Sequence, residues 1–154
     1  MATTVTAATL TVTLTEGITV GGYDQGATHT FTIPSVKKIS NRTVTCPASN
    51  TTIVASFSAN VYDSVQAFDT ENTKYIRIIN HDDSTSLELA IVGAATLYQV
   101  TLAPGQPHQL SSPDDAMLAE ADTSPSFGTM ADIASIQVNP GGNTIDVAVY
   151  MAAV

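Results

Sequence analysis

Hydrophobic and polar residues alternate along most of this chain. Threonine and aliphatic residues take turns without a break in residues 9–15, and every second residue is large and apolar in residues 145–151. A period of two places successive side chains on opposite faces of a β-strand. The same pattern, complete or partial, predicts further strands at residues 18–20, 28–33, 36–39, 42–46, 51–57, 75–79, 86–92, 96–102, 108–110 and 133–138.

Turn-forming residues separate these segments. Two glycines at residues 21–22 close the first unit, and Pro34 is expected to end the strand before it because proline has no backbone donor. Serine, asparagine and glycine predict turns at residues 40–41, 80–84 and 139–143. Residues 60–72 have a weaker pattern and fit a loop or a short strand.

A single segment has the features of a helix. Ser112 can cap a first turn that contains Pro113, Asp114 and Asp115, and helix-forming residues follow. The two acidic residues suit the positive end of a helix dipole. We predict at most one short helix, near residues 113–121.

These elements indicate an all-β fold. Counting only the firm and probable segments gives about eight or nine strands, and without long helices between them they predict a two-sheet antiparallel β-sandwich. A jelly-roll-like arrangement fits the length and strand count best, and an immunoglobulin-like sandwich is the second choice. We expect one domain over residues 9–154, preceded by a flexible N-terminal arm at residues 1–8.

The composition favours contact with other proteins. Charged residues make up 12% of the 154 residues, and threonine is the most common residue. Few ions would have to be desolvated when such a surface docks on a neighbour. The net charge of −9 argues against nucleic acid as a partner, since binding to phosphates requires lysine and arginine. We also expect no signal peptide and no membrane partner, because the apolar runs are short.

Residues with catalytic or metal-binding chemistry are scattered. His29, His81 and His108 have no spacing that would bring two imidazoles to one metal. A cation at the turn with Asp82 and Asp83 is disfavoured, because successive turn residues point in different directions. We therefore predict no catalytic, cofactor-binding or metal site, and no enzymatic activity.

Cys46 is the only cysteine of the chain, which excludes an intrachain disulfide. No local signature suggests a base that would activate it as a nucleophile. We predict a buried or inert thiol.

One succession of motifs runs through the second half of the chain. It leads from the strand and Asn/Asp turn of residues 75–82 to the strand of residues 87–91. A strand and a leucine-any-proline-glycine corner follow in residues 98–106, and the next segment is residues 108–110. This succession resembles small virion proteins of tailed bacteriophages, and the resemblance covers about residues 75–150.

The resemblance implies a capsid decoration or cement protein with a jelly-roll-like sandwich. Its partners would be copies of itself, as a homotrimer, and the major capsid protein, on virions assembled in the host cytoplasm. Two alternatives stay open: another virion component of the tail, neck or fibre, and a module that binds glycan or calcium. Candidate contact segments are residues 3–8 and 112–128, which lie outside the regular strand pattern.

Overall fold

The computed structural model describes residues 5–58, 68–93, 97–111 and 131–154. Within these ranges the chain forms twelve β-strands. Their bounds are β1 Ala8–Glu16, β2 Thr19–Val20, β3 Tyr23–Asp24, β4 Ala27–Val36, β5 Lys38–Cys46, β6 Thr52–Ser56, β7 Thr73–Asn80, β8 Leu87–Gly93, β9 Leu97–Leu102, β10 Pro107–Leu110, β11 Ile133–Asn139 and β12 Ile145–Ala153.

Eight of the strands form a sandwich of two antiparallel sheets. The first sheet has the order β10-β7-β12-β5, and the second has the order β6-β11-β8-β9. Most neighbours within a sheet are distant in sequence, because the chain crosses between the sheets as it does in a jelly roll. The prediction of an all-β, jelly-roll-like sandwich is confirmed.

The predicted number of strands was too low. Twelve strands form instead of eight or nine, because the shorter candidates also form strands and Tyr23–Asp24 adds one more; β1 to β4 build a separate two-part hairpin outside the sandwich. Alternation alone does not distinguish these strands from those of the sandwich.

The core lies between the two four-stranded sheets. In β12, Ile145, Val147, Val149 and Met151 are each at most 1% exposed, so they share one face as the pattern predicted. β12 is paired on both sides, with β5 and β7, which places its apolar face in the middle of the core. Burying each of these side chains is worth about 1.5–3 kcal/mol.

One end of the hairpin of β1 and β4 packs on the outer face of the first sheet and forms a third layer there. Val12 and Val36 are buried against Tyr75 and Ala152, which lie on the face of the first sheet that points away from the core. Phe31 extends this contact, with its ring edge-on to that of Tyr75 at 6.3 Å between centroids. Aromatic and aliphatic packing therefore attaches one end of the hairpin to the sandwich.

Two predicted strand breaks are absent. Pro34 was expected to end its strand, but β4 continues to Val36 through a bulge that places two of its residues opposite one of β1. Ser35 has a positive φ of 63° at this bulge, where proline is tolerated without loss of a ladder bond.

The turn predicted at Ser40 and Asn41 was also wrong. Both residues lie within β5, where they pair with Met151 and Tyr150 of β12. A continuous ladder of nine residue pairs outweighs the local turn preference of serine and asparagine. The two short strands predicted at 36–39 and 42–46 are therefore replaced by β5, with Val36 ending β4.

Several predictions concern residues outside the described ranges. The helix near 113–121, with Asp114 and Asp115, lies wholly outside them, as does the whole candidate contact segment 112–128. Of the predicted N-terminal arm, residues 5–7 are described and exposed, and Ala8 begins β1. The assignment of residues 9–154 to a single domain stays a prediction.

Candidate interaction surface

The histidines occupy three separate places in the fold. His29 lies in β4 and stacks on Phe31 with 6.2 Å between ring centroids, and His81 is exposed after β7. His108 lies in β10 beside Tyr98, and burial lowers its pKa from the usual value of 6.5. In the described part of the chain, no group of three or more histidine, cysteine or acidic residues could hold a metal ion.

Asp82 has a structural role in the turn after β7. Its carboxylate accepts hydrogen bonds from the backbone N–H groups of Ser84 at 2.9 Å and Thr85 at 2.6 Å. These two bonds, with that of Ser84 first, lower the pKa of Asp82 below its ordinary value. Oδ1 of Asp82 thus accepts hydrogen bonds from the backbone donors of its own turn.

Asn80 connects this turn to the proline-glycine corner of the motif. It is fully buried, and its Nδ2 donates to the carbonyl oxygens of Thr85 at 2.8 Å and Leu102 at 3.1 Å. The backbone N–H of Gly105 also donates to the Asn80 carbonyl at 2.9 Å. The residues that carry the virion resemblance therefore meet in space and hold one end of the sandwich together.

Cys46 lies at the end of β5 with no exposed surface, and burial raises the pKa of its thiol. A thiol that is protonated and shielded from solvent is a poor nucleophile. The prediction of a buried thiol is confirmed.

Most of the few cationic side chains are engaged within the fold. Arg42 donates from a terminal nitrogen to the Val54 carbonyl oxygen at 2.7 Å, and the Arg77 guanidinium lies 5.5 Å from the centre of the Tyr150 ring. The Lys38 ammonium lies over the ring of Phe68 at 4.4 Å. These contacts hold the three cationic side chains against the rest of the fold.

The part of the hairpin that lies farthest from the sandwich carries exposed apolar residues at its turn. Every residue from 15 to 30 is exposed, so this part extends away from the sandwich. Gly21 and Gly22 have φ values of 60° and 86°, which allow the two-residue turn between β2 and β3. Val20 pairs with Tyr23 across this turn.

Three exposed apolar side chains lie at this tip. Directly paired residues of an antiparallel ladder point to the same side, which places Val20 beside Tyr23. Ile18 comes just before β2, and its carbonyl oxygen accepts a hydrogen bond from the backbone N–H of Gln25 at 2.9 Å. Their exposed fractions are 54% for Ile18, 58% for Val20 and 74% for Tyr23. We call these three residues the tip patch.

The outer face of the hairpin is covered with threonine. Thr13 lies opposite Thr30 with 3.1 Å between the hydroxyl oxygens, and the Thr28 hydroxyl donates to that of Thr15 at 3.4 Å. Because β1 and β4 pair only with each other among the described strands, each also has an outer edge that is free of ladder bonds. The hairpin thus presents hydroxyl groups, backbone groups and the tip patch to solvent.

An apolar cavity lies at the other end of the hairpin. It has a volume of about 480 Å³, and its apolar wall consists of Phe31, Ile33, Pro34 and Val154. Lys74 and Ser111 also line it. We call it the base cavity.

The comparisons with known proteins do not identify a family. No family model matches the chain, and no curated protein matches it. A solved structure from work on Bacillus endospore appendages, described there as a novel family of disulfide-linked pili, is similar over 75% of this chain and 88% of that chain, with 9% identity and a TM-score of 0.41. A likeness at this level indicates nothing about the function of this chain.

The contact segments predicted from the sequence, residues 3–8 and 112–128, did not include the turn of this hairpin. Residues 21–22 were interpreted only as a turn, although apolar residues flank both glycines directly. Apolar side chains next to a two-glycine turn are the signal that could have located the tip patch. The described part of the chain holds no helix with the length and apolar character needed to cross a membrane.

Proposed function

We propose that this protein is a structural assembly subunit, and specifically a capsid decoration protein of a tailed bacteriophage. The observation that carries the proposal is the extended hairpin, which holds the tip patch away from a compact sandwich. Exposed apolar clusters on a folded domain mark sites of contact with other proteins. The virion resemblance of residues 75–150 supplies the particular setting.

The size of the tip patch suits a repeated contact better than an isolated one. Burying the exposed portions of three such side chains is worth about 3–5 kcal/mol. Association of two free proteins costs about 4–15 kcal/mol in lost motion, so one contact of this kind yields weak binding. On a symmetric lattice each subunit makes several contacts at once, and modest contacts then suffice.

The sandwich provides the rigid body that such a lattice contact requires. Its central strands form ladder hydrogen bonds on both sides, and the Asn80 side chain connects the turns at one end by hydrogen bonds. A rigid body loses little conformational freedom on binding, which leaves more of the contact free energy for affinity. We expect binding to the outer head surface, with the major capsid protein as the partner.

The proposal is tested on particles from the source of the chain. Electron microscopy of intact virions should show the sandwich at regular positions over the head, and quantitative mass spectrometry should find hundreds of copies. Heads from which the protein is absent should rupture at a lower temperature. A count of about six or twelve copies at one vertex would instead support the tail, neck or fibre alternative. Absence from the particle would contradict both.

A purified system gives a matched control. Tyr23→Asp should weaken binding to undecorated heads, because a charge would have to be desolvated in the contact. Ile53→Asp changes a side chain of similar exposure, 60%, on the second sheet and should bind as the unchanged protein does. Equal binding by both variants would remove the tip patch from the proposed contact.

A further inference from the structure

The tip patch and the base cavity are complementary in polarity. The tip presents Ile18, Val20 and Tyr23, and the cavity wall presents Phe31, Ile33, Pro34 and Val154. A volume of about 480 Å³ lies within the range of about 300–1,000 Å³ that is typical of ligand pockets, and it can receive a few large side chains. Apolar groups of both surfaces are thus available for one contact.

The charges around the two surfaces are also complementary. Acidic Glu16 and Asp24 flank the tip patch in a hairpin whose tip has no lysine or arginine. Lys74 lines the cavity, where its ammonium donates to the Glu71 carbonyl oxygen, and Lys37 lies beside the cavity, since its backbone N–H donates to the Ala153 carbonyl next to Val154. A chain with a net charge of −9 therefore places two of its five cationic residues where an acidic tip would dock.

The tip of one molecule cannot enter its own cavity. From Leu10, which pairs with Ile33 at the cavity, the ladder of β1 and β4 continues to Glu16. Six residues of paired strand span about 20 Å and hold the tip away from the base. The occupant that matches the cavity in polarity and charge is therefore the tip of a second copy.

We propose that this protein self-associates head to tail, with the tip patch of one copy inserted into the base cavity of the next. This inference rests on the proposed function: on the head lattice the tip patch contacts a neighbouring copy, and a tip variant binds heads more weakly because that contact between copies is lost. The two surfaces are different patches of the same chain, so the contact is heterologous. Such a contact closes into a ring when the rotation between copies allows it, and otherwise continues as a filament.

Two sets of variants separate the two halves of the contact. Tyr23→Asp disables the tip, and Ser111→Trp obstructs the cavity from an exposed position that the core does not use. Ile53→Asp is the control for an exposed apolar residue elsewhere. Each protein is studied at full length by sedimentation velocity over ~10 μM to ~1 mM, the range of dissociation constants expected for a small contact. Circular dichroism checks that every variant keeps its strands.

The proposal predicts a specific pattern of complementation. The unchanged protein and Ile53→Asp should associate, whereas each tip or cavity variant alone should be at least 10-fold weaker. An equimolar mixture of Tyr23→Asp with Ser111→Trp should form a one-to-one pair, because one intact cavity and one intact tip remain. Only a head-to-tail contact gives this result.

Other outcomes overturn the inference. A mixture that stays monomeric while the unchanged protein associates would show that tip and cavity do not bind each other. Undiminished association of the single variants would place self-association elsewhere on the surface and leave the proposed function standing. Loss of association on changing Met117 and Leu118, but not Tyr23, would assign the contact to the segment after Ser111. An unchanged protein that is monomeric at ~1 mM but decorates heads would refute this inference alone.

Discussion

Replacing Asn80 should destabilise the sandwich far more than replacing an exposed asparagine. In the Asn80→Ala variant, the carbonyls of Thr85 and Leu102 lose a donor, and the N–H of Asp82 loses its acceptor at 3.0 Å. Each lost hydrogen bond costs about 1 kcal/mol. The Leu102 carbonyl is buried away from water, so leaving it without a donor costs about 1 kcal/mol or more in addition, and the total is about 3–5 kcal/mol. For a domain of this size, that lowers the melting temperature by about 6–20 °C.

Urea denaturation followed by circular dichroism measures this free energy. Asn80→Asp keeps the size of the side chain but replaces its donor with a carboxylate oxygen facing two carbonyls, so it should be at least as damaging as Asn80→Ala. Asn50→Ala is the matched control, because Asn50 is exposed and donates only to Ala48 within its own turn. It should cost less than about 0.5 kcal/mol. A loss below about 1 kcal/mol in both Asn80 variants would refute the role assigned to this residue.

Three further predictions concern the hairpin, the thiol and pH. Gly26→Ala should loosen the hairpin, because a Cβ at Gly26 would overlap the carbonyl oxygen of Glu16. Amide exchange in β1 should then be faster in the variant than in the unchanged protein, while exchange in β12 stays the same; equal exchange in β1 would contradict this. The thiol of Cys46 should react with a thiol reagent only after unfolding, since it is buried; rapid reaction of the native protein would contradict this. Burial lowers the pKa of His108, so the stability it contributes is complete above pH 6.5 and is lost as pH falls from 6.5 through the lower folded-state pKa. Melting temperatures between about pH 8 and pH 5 should therefore fall less in His108→Gln than in the unchanged protein, and equal slopes would argue against this histidine as a cause.

The pattern of the chain predicted the strands well because their side-chain direction is a local property. In β12 the apolar residues from Ile145 to Met151 had to share a face, and burial of that face followed. Pro34, Ser40 and Asn41 were misjudged, because ladder bonds with distant strands override the turn preferences of single residues.

The candidate surface could be predicted only in part. The composition indicated a surface suited to protein contacts, and the scattered histidines gave no reason to expect a metal site. The position of the hairpin outside the sandwich could not be predicted from the sequence, because β1 and β4 alternate as regularly as the strands of the core. Whether such a strand is covered depends on which other strands pair with it.

By itself, the sequence determined that this protein is built of β-strands with one apolar face each, since alternation fixes side-chain direction wherever the backbone is extended. Only the tertiary structure decided which strands lie in the sandwich and which leave it as a hairpin. It also decided that Asn80 is buried between two turns and that an apolar cavity lies at the base of an exposed apolar tip. The physical reason is that pairing and burial depend on contacts between residues far apart in the chain, whereas periodicity records only the neighbourhood of each residue.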